Sequence, residues 1–354
     1  MQGYKTVLRQ VDTSVDNLVD DPAVEEAAQL LKSGEVVAFP TETVYGLGGD
    51  ATLDEAIARI YEAKGRPSDN PLIVHIAGIE QAKRYADDIP PGAEQLMNAF
   101  WPGPLTIVLR HNGSLSPKVT AGLDTVGMRM PADPAALALI TAADLPLAAP
   151  SANRSGRPSP TSARHVYDDL NGRIPVVLDG GETGVGVEST VVDATQTPVM
   201  ILRPGGISKE ELEAVVGPVA VDPSLAFDQS AKPKSPGMKY AHYAPDAPLV
   251  LVDGDAAFLA AVVHDAKAAG KRAGALVFEE QIGTTGAEQE VSLGPQADPA
   301  EAARRLYDAL RVFKRSEVDI IYAVTFADSG IGGAVMNRLL KAAGGRRVSA
   351  EDSN

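Results

Sequence analysis

The sequence predicts a two-domain α/β protein: an N-terminal twisted mixed sheet with helices, then a smaller parallel α/β domain of Rossmann-like type. Three observations predict it. At 354 residues the chain exceeds the usual span of one domain. Residues 1–215 alternate helix-like and strand-like segments, the pattern of helices laid on a mixed sheet. The pattern fades over 216–245, which reads as a linker, and a second, shorter alternation occupies 246–354.

The elements follow from local signals. Residues 22–33 read as a helix, with Asp20 or Asp21 placed to cap it and Gly34 to stop it. The apolar run Val36 to Phe39 reads as a buried strand ended by Pro40, and Leu53 to Ala63 as a second helix. Further strands are expected over 72–76, 106–109, 126–130, 145–149, 176–178 and 189–192. The linker holds AKPKSPGMKYAHYAP, with several prolines and no helical or strand period. Beyond it, strands are predicted at 249–252, 274–278 and 318–324, and helices at 255–269, 298–314 and 334–343. The tail GGRRVSAEDSN reads as disordered.

Composition narrows the function. A net charge of −15 argues against a broad basic surface that grips nucleic acid. Residues 1–215 carry 17 basic and 29 acidic side chains, and 216–354 carry 15 and 18, so an anionic ligand must be met by a few placed cations in a cleft. No cysteine is present, which excludes disulfides, thiolate nucleophiles and cysteine-held zinc and suits a cytoplasmic protein. No apolar run is long enough to span a membrane, and the start MQGYKTVLRQ lacks a secretory h-region.

Five polar, glycine-rich segments lie beside predicted strands. PTETVYGLG (40–48) ends a buried strand with hydroxyls and backbone donors, although an ordinary capped turn would look the same. In KGRPSDNPL (64–72), Pro67 biases Arg66 towards an extended backbone, and in such a segment Lys64 and Arg66 project to one side. Two cations there suit a phosphate or carboxylate; the alternative is a solvated basic turn. SANRSGRPSPTSA (151–163) offers Ser151 and Asn153 on one face if extended, plus Ser155, Ser159 and Thr161, or else is a flexible loop. GVGVESTVVD (184–193) brings Ser189 and Thr190 into a strand, and LRPGGIS (202–208) sets Arg203 before a turn. Arg129 sits inside an apolar strand, where a charge needs a partner. His75 on its own reads as a structural histidine. The chain has no GxxxxGK[ST] loop, no HExxH and no GxSxG, and SGIGGAV lacks the third glycine of the dinucleotide fingerprint.

In their order, PTETVYGLG, KGRP..NPL, SANRSGRPSPT, GVEST and RPGGI resemble the YrdC-like domain of threonylcarbamoyl-AMP synthases, whose hallmark is the Lys-x-Arg plus Ser-x-Asn pair. SPGMKYAHYAP resembles the linker of the two-domain members, and GIGGAVMNRLLKAA their C-terminal domain, so the resemblance spans nearly the whole chain. It implies a reaction of L-threonine, bicarbonate and ATP to threonylcarbamoyl-AMP and pyrophosphate, for N6-threonylcarbamoyladenosine in tRNA. Nucleotidyl transfer of this kind needs orientation and charge neutralisation more than a protein nucleophile. By the resemblance, Thr41, His75, Arg129 and Ser189 hold threonine, and Lys64, Asn70, Thr125, Ser151, Ser159 and Arg203 hold ATP. Arg66 and Asn153 complete the signature pairs, giving Lys64, Arg66, Ser151 and Asn153 as the catalytic set. Tyr240, His242 and Tyr243 would form a lid that excludes water. Mg²⁺ is expected on the phosphates, with no metal ligand from the protein.

The expected partners are the three substrates and downstream threonylcarbamoyl-transfer proteins, with weak tRNA binding at most and no membrane. Two other readings stay open on the residues alone. One is a module that docks structured RNA, disfavoured by the acidity of the motif-bearing domain. The other is carbamoyl transfer from another donor, known on this domain type in proteins that add zinc-finger modules, which a chain without cysteine does not carry.

Overall fold

Capping chemistry sets the first helix. In the computed structural model, which describes residues 3–12, 17–67, 70–226, 243–314 and 316–351, α1 (Pro22–Lys32) begins where the Asp21 carboxylate accepts from the Ala23 and Val24 amides. Pro22 occupies the first turn, where its missing N–H costs nothing. The chain forms two compact units. The first runs to residue 226 apart from Gly156–Pro158 and Val185–Val187, which group with the second, described over 243–351.

In the first unit the strands are β1 (Val7–Gln10), β2 (Val37–Phe39), β3 (Gly46–Asp50), β4 (Ile73–His75), β5 (Leu105–Arg110), β6 (Thr125–Arg129), β7 (Leu147–Ala148), β8 (Val176–Asp179), β9 (Thr190–Asp193), β10 (Met200–Arg203) and β11 (Ala220–Val221). They form one eleven-stranded mixed sheet in the order β1-β8-β2-β3-β7-β4-β6-β5-β9-β10-β11. The remaining helices are α2 (Asp54–Lys64), α3 (Ile79–Lys83), α4 (Pro91–Phe100), α5 (Pro117–Thr120), α6 (Pro134–Ala143), α7 (Ala163–Leu170) and α8 (Lys209–Val216).

Burial on both faces explains why β2 reads as an unbroken apolar run. Ala38 joins one core cluster with Leu47, Ile57 and Ile60, while Val37 and Phe39 join another with Val24, Leu31 and Leu139. In β6 the alternation is sharper. Val126 and Met128 enter the large core, leaving Thr125, Gly127 and Arg129 on the opposite face. There the apolar floor is small: Ile73, Val108, Val191 and Leu202.

Several elements depart from the sequence expectation. GLGGD, expected as part of a turn motif, is strand β3, with a glycine required at 48, where a Cβ would lie 2.7 Å from the Phe39 ring. Residues 220–221, placed by sequence in the linker, pair in parallel with β10. Most of the linker stretch, residues 227–242, lies outside the described residues.

In the second unit are β12 (Leu249–Asp253), α9 (Ala256–Ala268), β13 (Ala273–Val277), β14 (Gln289–Ser292), α10 (Pro299–Phe313), β15 (Ile320–Val324), α11 (Gly330–Ala342) and β16 (Arg347–Ser349). Its five-stranded sheet, ordered β14-β13-β15-β12-β16, is parallel throughout. That agrees with the Rossmann-like expectation. The tail expectation fails at 347–349, which pair with β12 as an edge strand, and α11 starts at Gly330, four residues before the predicted position. Among the described residues no helix is long and apolar enough to cross a membrane.

Gly274 in β13 would place a Cβ 2.5 Å from the ring of Phe313, itself buried on α10. Gly274→Ala should therefore destabilise by roughly 1–3 kcal/mol, the usual range for overpacking a core, measured as a lower denaturant midpoint.

Candidate active site

Strand register gathers the polar residues of the first unit on one face. In the parallel pair β4–β6, His75 lies directly beside Arg129. Two residues along β6, Gly127 leaves room for Thr106 of β5, whose methyl carbon would be 3.0 Å from an added Cβ. The Thr106 hydroxyl is 2.8 Å from Ser189 Oγ at the entry to β9. Arg203, at the end of β10, donates from Nε and Nη2 to the Ser189 carbonyl at 3.1 and 2.9 Å, and from Nη2 to Ser189 Oγ at 3.1 Å. Thus β4, β6, β5, β9 and β10 carry a continuous polar band from His75 to Arg203.

The turn after β2 closes one end. Thr41 Oγ1 donates to the Val44 carbonyl at 2.6 Å and accepts from the Thr43 and Val44 amides at 3.2 Å each. This fixes Thr43, whose hydroxyl accepts from Arg129 Nη1 at 2.9 Å, while Arg129 Nε reaches the Gly103 carbonyl at 3.3 Å. Glu42 lies between the two threonines, with Oε1 2.7 Å from Arg129 Nη2. Burial, and then the adjacent Arg129, lower the His75 pKa from 6.5 to about 3. The ring is therefore neutral across the physiological range. It packs edge-on against Phe39, and its Nδ1 has no hydrogen-bond partner among the described residues.

A second group surrounds Lys64. The expectation that Lys64 and Arg66 share one side of an extended segment is wrong. Lys64 is the last residue of α2, and Gly65, at φ 61°, turns the chain in the left-handed region. Pro67 restrains Arg66 but not the residues before it. Lys64, 3% exposed, instead points inward. Its Nζ donates to the Ser151 carbonyl, to the Asn153 carbonyl at 2.7 Å and to Asn153 Oδ1 at 3.4 Å. These bonds unite the Lys-x-Arg and Ser-x-Asn segments, and within the latter Ser151 Oγ donates to Asn153 Oδ1 at 2.6 Å. Burial, then the nearby Arg66, hold the Lys64 pKa well below the usual lysine value, while Asp169 and Glu188 act in the opposite direction. Glu188 also accepts from Ser159 Oγ at 2.6 Å, one residue before Ser189. Glu188 therefore links the lysine group to the strand band.

Comparisons with known proteins agree over nearly the whole chain. Residues 29–205 match the family described as "Telomere recombination", and 207–344 match "Threonylcarbamoyl-AMP synthase, C-terminal domain". The threonylcarbamoyl-AMP synthase of Bacillus subtilis is 53% identical, covering 96% of this chain and 98% of its own length. That of Pyrococcus abyssi is 46% identical over 95% and 98%. The chain belongs to the threonylcarbamoyl-AMP synthase family. The crystal structure of P. abyssi Sua5 complexed with L-threonine superposes with a TM-score of 0.91 at 44% identity, covering 98% and 99% of the two chains.

Within this synthase fold the remaining expected residues fall as follows. Thr125 begins β6, four residues before Arg129 on the same face and ~13 Å away along the strand. Asn70 is fully buried, its carbonyl accepting from the Tyr61 hydroxyl at 2.9 Å. Tyr240 and His242 lie outside the described residues. Tyr243 packs in the second unit, stacked on Tyr307 at 5.2 Å with the Arg338 guanidinium 5.8 Å from its ring centroid. Sequence reasoning missed Glu42, Thr43, Thr106 and Glu188. Each is a polar residue in or beside a buried strand, which is the one signal that could have found them.

Because the fold favours neutral His75, its contribution to stability is full above the unfolded value of 6.5 and is lost as pH falls below it. Between about pH 6 and 5 the native protein should lose up to ~1.4 kcal/mol per pH unit more unfolding free energy than His75→Gln, measured by denaturant titration. Equal slopes would show that His75 is not held neutral.

Proposed function

We propose that the polar band and the Lys64 group together bind L-threonine, bicarbonate and ATP and convert them to threonylcarbamoyl-AMP, pyrophosphate and water. The observation that carries this reading is Arg129, a permanently charged guanidinium held on the hydroxyl of Thr43 and the carbonyl of Gly103. It stands in a chain that superposes end to end on a threonine-bound synthase. Such an arginine keeps hydrogen-bonding capacity for a carboxylate.

Arg129 takes the α-carboxylate of threonine, with Thr41, His75 and Ser189 around the rest of the molecule. Arg203, Ser159, Thr125 and Asn70 hold the nucleotide. Lys64 keeps the Ser151–Asn153 segment in place, and Arg66 with that segment orients the phosphates and the carbamate. The threonine nitrogen, once its ammonium has lost a proton, bonds to the carbon of bicarbonate, and a C–O bond of bicarbonate breaks with loss of water. One oxygen of the new carbamate attacks the α-phosphorus, the bond to the bridging oxygen breaks, and pyrophosphate leaves. Placement of the reactants and opposing charge account for the acceleration, with no covalent protein intermediate.

Mg²⁺ fits this site as an ion carried in by the phosphates. The side chains assigned to the nucleotide are cations, hydroxyls and an amide, and the Glu188 carboxylate beside them is engaged by Ser159, while Glu42 stands at Arg129 on the amino-acid side. When bound, the ion supplies neutralisation of phosphate charge. The product serves tRNA modification, with threonylcarbamoyl-transfer proteins downstream in the cytoplasm.

Purified protein with Mg²⁺ should release pyrophosphate from ATP only when threonine and bicarbonate are both present. Arg66→Ala and Arg129→Ala should each lower kcat/KM by about 100-fold or more while the proteins remain folded, a loss typical of removing one charge-stabilising group. Release without threonine, or full activity in either variant, would refute the assignment.

A further inference from the structure

Arg129 accounts for the carboxylate of a bound amino acid and leaves its other charged group, the ammonium, without an assigned partner. We propose that Glu42 is the specificity-determining residue that receives this ammonium, so that Arg129 and Glu42 together read the zwitterion. The proposal rests on the assignment of Arg129 to the carboxylate.

Three observations support it. The first is placement. Glu42 is held between Thr41 and Thr43 in a turn whose amides and hydroxyls are engaged by Thr41 Oγ1. Its side chain, 16% exposed, ends 2.7 Å from Arg129 Nη2. An amino acid carries its two charged groups on one carbon, and this pair presents the complementary charges side by side.

The second is unused bonding capacity. The approach of Nη2 to Oε1 has the distance of an ion pair but not the direction of a hydrogen bond. Among the described residues, Arg129 Nη2 and both oxygens of Glu42 are buried without hydrogen-bond partners. Buried carboxylate oxygens left this way are costly, and an ammonium with three N–H donors satisfies them. The third is the shape of the surroundings. His75 Nδ1, also buried and without a partner, lies beside Arg129 in the strand register. A ring held neutral can accept from a substrate hydroxyl or amine without adding a charge that would repel the ammonium.

Another acidic group lies within electrostatic reach of this corner. Asp133 caps α6 through the Ala136 amide, and its pKa is raised by burial first and by Glu42 among smaller contributions. Asp133 is therefore committed to the helix, and Glu42 is the carboxylate left for a ligand.

The test compares two ligands by calorimetry on the full chain: L-threonine and 3-hydroxybutyrate, which is threonine without its α-amino group. Glu42→Gln keeps the size of the side chain and removes its charge. The variant should bind L-threonine about tenfold or more weakly, bind 3-hydroxybutyrate no more weakly than the wild type, and show a higher KM for threonine with ATP affinity unchanged. Equal weakening for both ligands would mean that Glu42 only positions Arg129 and would overturn the proposal. So would tighter binding of both, which would show Glu42 to be a plug that the carboxylate displaces. Wild-type protein that fails to bind L-threonine would instead refute the reading of Arg129, a result separable from any behaviour of the variant.

Discussion

The first unit is organised by the need to keep guanidinium groups charged at the ends of buried strands. Arg129 and Arg203 are each 4% exposed, and an arginine cannot escape burial by losing its proton. Its N–H groups must therefore meet acceptors supplied by the fold. The acceptors are hydroxyls and carbonyls: Thr43 and Gly103 for one, Ser189 for the other. These partners fix the conformation of the turn after β2 and of the entry to β9. Two of the five glycine-rich segments thus owe their shape to the cations they surround.

Glycine completes the arrangement where backbone must approach backbone. Gly205, just past Arg203, would place a Cβ 2.3 Å from the Glu188 carbonyl oxygen and 2.3 Å from the Thr190 amide nitrogen. Any side chain there would push away the strand entry that carries Ser189. Gly127 does the same work inside the sheet, where its missing side chain lets Thr106 reach across to Ser189. The chemistry-bearing groups come from distant parts of the chain, but the sheet register makes them neighbours.

Much of this was legible in the sequence, and what escaped did so for identifiable reasons. Strongly apolar strands such as 37–39 and 176–179, and helices with a clear cap such as 22–32, follow directly from pattern. In the second unit β12, β13, β15, α9 and α10 were legible for the same reason, whereas the edge strands β14 and β16 were not. Strand β3 was not, because GLGGD has no apolar period and is strand only through its fit beneath Phe39. The placement of Lys64 failed because a local rule about proline was extended back across a glycine that reverses the chain. Ser151, Asn153, Arg129 and Arg203 could be picked out as candidates, but their partners could not. Thr106 and Glu188 become site residues only through pairings made by the register of β5 and β9 and by the Ser159 loop.

The side chains around Arg129 and Arg203 also bear on how this protein behaves in solution. A cleft whose buried guanidinium groups rest on hydroxyls and carbonyls, with a single carboxylate, Glu42, beside Arg129, attracts small inorganic anions as well as substrate carboxylates and phosphates. Whatever binds the folded chain but not the unfolded one raises its melting temperature. Buffer composition is therefore part of the molecule's working state: phosphate or sulfate would act as a stabiliser and a competitor at once, even for a chain whose net charge is −15.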